Sequence, residues 1–122
     1  MPDVPTAVLI VDPDIAAAEE LAALLADRPE RPEVMMATSV AAAETALLAG
    51  EMDWLFIRIT LFPDYQKLLS SLDRPPRKLV FLWGRDENSS WKFAELIDAQ
   101  LKPPFSAGEL RKIWERLSKP LA

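Results

Sequence analysis

The 122-residue chain contains no cysteine and no histidine. The first absence removes disulfides, thiolate nucleophiles and thiolate metal ligands. The second removes imidazole ligands and the side chain that most often acts as a general base near neutral pH. Glycine is scarce: its three residues, Gly50, Gly84 and Gly108, are far apart and build no phosphate-cradling loop. No apolar run approaches the roughly 20 residues of a membrane span. The N-terminus has no basic stretch leading into an apolar signal core. Positive charge is also in deficit, and a formal net charge of −5 argues against binding to nucleic acid or anionic membrane through a basic face. With no nucleophile beside a base, the expectation is a cytoplasmic, non-enzymatic protein with no cofactor and no resident metal.

What is present is an ordinary globular balance, 50% hydrophobic and 27% charged, on a chain long enough for one core. A single domain over residues 1–122 is expected. The stretch Asp53-Trp-Leu-Phe-Ile-Arg58, running on through Ile59 and Thr60, is nearly unbroken apolar sequence between Gly50 and Pro63. It reads as a central strand buried on both faces, and it ends on a cation. Thr6–Val11 reads as a second buried strand, stopped by Asp12-Pro13-Asp14, either acid of which can cap the following helix. That helix spans about Ile15–Ala26, with Ile15, Ala18, Leu21 or Ala22, and Leu25 on its inner face.

Pro29 and Pro32 stiffen the next loop. Glu33–Ala37 is a short strand. Thr38 or Ser39 caps a helix that runs to Ala49 and is stopped by Gly50. Asp64 opens a helix to about Leu72, and Leu79–Trp83 is a further apolar strand. A helix is expected at Trp91–Asp98 and a brief strand at Ala99–Leu101. Ser106 and Glu109 form a capping box for a last helix, with Leu110, Ile113, Trp114 and Leu117 inward. Five strands alternating with five helices give an α/β fold with one parallel sheet. Ligands of such folds sit at the carboxyl ends of the strands, which here carry Asp12, Asp14, Arg58, Trp83, Gly84 and Lys102.

The segments VLIVDPD, DWLFIRITLFP and LKPPF, the last followed by a capped helix, together resemble the receiver domain of bacterial two-component response regulators, over essentially the whole chain. The resemblance implies a doubly wound (βα)5 sheet of order 2-1-3-4-5. It also implies an acidic pair for a divalent metal, a phosphoacceptor aspartate ending the third strand, a hydroxyl residue after the fourth and a lysine after the fifth. Asp12 matches the first acidic position, but Pro13 falls on the second and Asp14 comes one residue late. Arg58 falls on the phosphoacceptor, and a guanidinium neither accepts a phosphoryl group in that way nor tolerates Mg²⁺. Trp83, or Gly84 with a one-residue slip, falls on the hydroxyl position. Lys102 is retained, and the resemblance suggests a cis peptide before Pro103.

The resemblance thus implies a pseudo-receiver, a protein-interaction or dimerisation module that works without phosphorylation. Arg58 is expected to pair with Asp12 or Asp14 and so to stand in for a metal, with Lys102 donating to Asp12 or to backbone carbonyls. Trp83 and Ala99 exchange the sizes usual for the family's switch pair, so the Trp83 indole is expected to fill the aromatic's volume and hold one state. Two alternatives remain: phosphorylation through a rearranged site at Asp12, Asp14 or Asp64, and a small-anion sensor using Arg58 and Lys102. Trp54 and Trp114 read as core, and Glu19, Glu20 and Asp27 as a solvated helix face. Trp91, Lys92, Phe105, Arg111 and Lys112 form a candidate partner or homodimer interface on the face of the fourth helix, fifth strand and fifth helix.

Overall fold

The computed structural model describes residues 6–83, 99–102 and 105–118. Five strands form one parallel sheet: β1 (Ala7–Val11), β2 (Glu33–Ala37), β3 (Trp54–Arg58), β4 (Lys78–Leu82) and β5 (Ala99–Leu101). Their order is β2-β1-β3-β4-β5, as the resemblance implies. The described helices are α1 (Ile15–Ala26), α2 (Val40–Leu48), α3 (Phe62–Leu69) and α4 (Ala107–Ser118). The helix expected at 91–98 lies outside the described residues.

Successive strand residues point to opposite faces, so the apolar runs of β1, β3 and β4 feed two cores at once. On one face Val8, Ile10, Trp54, Phe56, Val80 and Leu82 pack against Ala18, Leu21 and Leu25 of α1 and Leu110, Trp114 and Leu117 of α4. On the other, Leu9, Val11, Leu55, Ile57 and Phe81 pack against Val40, Ala43 and Leu47 of α2 and Phe62 and Tyr65 of α3. Trp54 and Trp114 are core residues as expected, their ring centroids 4.2 Å apart. The Arg28 guanidinium lies 5.8 Å from the Trp114 ring centre and pairs with Glu30 at 2.9 Å, tying the end of α1 to α4.

Asp14 caps α1 by accepting from the Ala17 amide, Ser39 caps α2, and Ser106 accepts from the Glu109 amide. The choices left open at these helix starts therefore fall on Asp14 and Ser39. Asp53 organises the other end of the sheet. Its carboxylate accepts from the Ala7 amide at 2.8 Å, its own amide donates to Ala7 O, and its carbonyl accepts from the amides of Arg77 and Lys78.

Several boundaries differ from the sequence reading. β3 ends at Arg58, and Ile59–Leu61 form a 3₁₀ turn that runs directly into α3. Pro63 sits in the first turn of α3, where its missing N–H costs nothing, so the helix starts ahead of Asp64 and ends at Leu69. Ile15, the first residue of α1, is 57% exposed rather than part of the inner face, and it lines the rim of a cavity with Asp12. Gly50 takes φ +71°, the left-handed conformation that ends α2.

Candidate functional site at the strand ends

β1 and β3 are in register from Val8 with Trp54 to Val11 with Ile57, so the residues that follow, Asp12 and Arg58, emerge side by side at the carboxyl end of the sheet. Asp12 is 1% exposed, and no other charged side chain among the described residues is buried. One of its oxygens accepts from the Asp14 amide at 2.8 Å, closing the turn through Pro13. The guanidinium of Arg58 faces both oxygens, with Nη2 3.3 Å from Oδ1 and Nε 3.4 Å from Oδ2. This is a two-pronged ion pair with slightly long contacts. Of the two acids expected to pair with Arg58, it is Asp12 that does so, while Asp14 is exposed and engaged as the helix cap.

Burial pushes the Asp12 carboxyl above its ordinary 3.8; the Asp14 amide and the Arg58 charge pull it part of the way back. The balance is telling: even with a cation and an amide in place, desolvation is the larger effect. No group of three or more acidic side chains suited to a metal gathers among the described residues.

Trp83 follows β4 and is 5% exposed. Its amide donates to Leu101 O, and its indole N–H donates to Gln100 Oε1 at 2.8 Å, so the ring is held down against β5. Ala99 is buried opposite Val80, three residues before the level of Trp83. Lys102 is a correction to the sequence reading. It is exposed and makes no hydrogen bond or ion pair among the described residues, because the chain leaves β5 with this side chain turned to solvent.

Phe105 is a second correction. It is buried in the core with Leu101 and Leu110 rather than presented as an interface anchor. Arg111 and Lys112 are exposed on α4, while Trp91, Lys92 and Pro103 lie outside the described residues.

A cavity of about 360 Å³ opens beside the pair, lined by Asp12, Ile15, Ala18, Met36, Ala37 and Thr38 among others. Its walls are apolar except for Asp12 and Thr38. A larger depression of about 490 Å³ lies between α2 and α3 and includes Glu44, Asp64 and Lys67 but none of the strand-end residues, so it is separate from this site. The sequence reading passed over the cavity beside Asp12. Its only sequence signal is Met36, an apolar residue on a strand that has one neighbour.

No protein-family model matches the sequence, and no curated protein matches it. Solved structures do. The CheY-like response regulator receiver domain from Methylobacillus flagellatus superposes with a TM-score of 0.74 at 22% identity, covering 94% of this chain and 100% of that one. A putative response regulator from Chloroflexus aurantiacus gives 0.72 at 23% identity, over 95% and 100%. NtrX from Brucella abortus gives 0.70 at 21% identity, and there 93% of this chain corresponds to 26% of the longer protein. At this level of identity the likeness speaks to architecture, and it agrees with the strand order and layering seen here. The fold is that of CheY-like receiver domains.

Proposed function

We propose that this chain is a pseudo-receiver, a protein-interaction module of two-component-type signal transduction that works without phosphorylation on aspartate. The observation that carries the reading is the Arg58–Asp12 ion pair. In the receiver family the end of the third strand bears the acceptor carboxylate and the end of the first bears metal-binding acids. Here the first position holds a permanent cation and the second a buried carboxylate already committed to it. A divalent ion would have to displace the guanidinium, and a phosphodonor would meet no carboxylate at the acceptor position.

The anchored Trp83 supports the same reading. A buried indole hydrogen-bonded to Gln100 occupies the place of the mobile hydroxyl residue, which favours one fixed state over a switch. Signalling output would then depend on which partner is bound. Incubation with acetyl phosphate and Mg²⁺, followed by intact-mass measurement, tests the proposal. An unchanged mass is expected. Addition of one phosphoryl group to an aspartate, whether Asp12, Asp14 or Asp64, would overturn it.

A further inference from the structure

The two edges of the sheet are built differently. β5 is three residues long and is followed by the exposed Lys102, and a very short edge strand with a lysine is how natural sheets blunt an edge against further pairing. β2 is five residues long, pairs without interruption along the whole of β1, and contains no lysine, arginine, proline or bulge. Among the described residues nothing pairs with its outer side. Met35 and Met36 are 49% and 50% exposed on it.

The hydrogen bonds define which main-chain groups face outward. Glu33 N donates to Thr6 O, and Ala37 O accepts from Asp12 N, so Glu33, Met35 and Ala37 direct their peptide groups to β1. By the alternation of a parallel ladder, the N–H and C=O of Val34 and Met36 point away from the sheet. We propose that these groups pair with a second copy of this chain, the two β2 strands running antiparallel about a two-fold axis at Met35 and joining the two sheets into one.

This register satisfies the strand's own constraints. Val34 lies opposite Met36 of the second copy, and the reverse, so each outward N–H meets an outward C=O. Met35 lies opposite itself in a non-hydrogen-bonded pair, the arrangement that brings side chains closest. Glu33, the strand's one charge, falls opposite Ala37, whereas a parallel in-register stack would set Glu33 against Glu33. Pro32 has no N–H and ends the ladder where the strand ends. The proposal extends the interaction-module reading by naming a partner; the strand shares Met36 and Ala37 with the lining of the cavity beside Asp12, but the pairing uses neither Asp12 nor Arg58.

The absence of cysteine makes the test direct. Two-fold pairing puts the Cα atoms of Met35 about 4.5 Å apart, within the roughly 4.4–6.8 Å that a disulfide spans. Met35→Cys is therefore expected to give a disulfide-linked dimer under mild oxidation. Leu69→Cys, equally a lone thiol at an exposed position on α3, is expected to form little disulfide-linked dimer under the same oxidation. Sedimentation of the unmodified chain should show a concentration-dependent dimer. Met35→Lys, which opposes two cations, and Met36→Pro, which removes an outward N–H that the fold itself does not use, should each weaken it at least about tenfold, with unchanged circular dichroism. A monomer at every concentration up to about 1 mM, where even about 4 kcal/mol of association would show, overturns the proposal. So does a dimer indifferent to both substitutions, which would place the contact elsewhere. Phosphate uptake is read separately by mass, so either reading can fail without the other.

Discussion

Replacing Arg58 with methionine keeps much of its apolar stem and removes its charge, leaving the Asp12 carboxylate buried with only the Asp14 amide as a described partner. At 3.3 Å the Coulomb attraction lost is about 5 kcal/mol for an effective dielectric of about 20. The measured loss has a lower ceiling, because the protein can instead protonate Asp12. Doing so at pH 7 from an unfolded-state value of 3.8 costs at most about 4 kcal/mol, at about 1.36 kcal/mol per pH unit. At pH 4.5 the same escape costs only about 1 kcal/mol.

The sign follows from proton binding. The folded-state pKa of Asp12 is raised, so between 3.8 and that value the folded protein holds more protons than the unfolded one, and stability falls as pH rises through the window. Without Arg58 the window extends toward neutrality. Urea denaturation followed by tryptophan fluorescence at the two pH values should therefore show a destabilisation of about 3 kcal/mol at pH 7, shrinking to about 1 kcal/mol or less at pH 4.5. The double variant Asp12→Asn with Arg58→Met should recover most of the loss at pH 7, since no buried charge remains. Equal destabilisation by Arg58→Met at both pH values, unaffected by Asp12→Asn, would refute the argument. Arg58 would then contribute through packing or another contact.

Burial raises the Tyr65 hydroxyl to about 12 from an ordinary 10. Absorbance titration at alkaline pH should show this residue ionising late, with stability falling from the unfolded value upward as the unfolded state sheds its proton first; ionisation at about 10 would count against a buried phenol. Gly50→Ala should cost about 1 kcal/mol or more in chemical denaturation, because φ is +71° and a new Cβ would stand 3.1 Å from that of Arg74. A neutral effect would mean that the α2–β3 turn relaxes freely.

The central strands were legible because residues buried on both faces leave long apolar runs, and TAVLIV and WLFI are such runs. The Asp12–Arg58 pair was legible as well, since parallel strands of matched length bring their final residues to one edge. Phe105 was not. A phenylalanine in a proline-rich loop carries no periodicity to show whether it turns inward, and tertiary packing under α4 decides it. Lys102 misled for a related reason. A conspicuous cation near an acidic pocket suggests pairing, but the carboxylate was already taken by a shorter route through Arg58. The 3₁₀ turn after Arg58 escaped notice because Ile59 and Thr60 are strand formers by propensity.

The Asp53 clamp has a bearing on the pocket at the far end of the sheet. By holding Ala7 through its side chain and amide, and Arg77 and Lys78 through its carbonyl, Asp53 acts as a common zero mark from which three strands are measured. β1 and β4 are thus each aligned to β3 at the start, and the five-residue lengths of β1 and β3 carry that alignment across to Asp12 and Arg58. A slip of one residue would turn every side chain of β1 to the wrong face. It would also carry Asp12 away from its cation. The ion pair therefore reads out, some five residues away, a setting made at the opposite edge of the molecule.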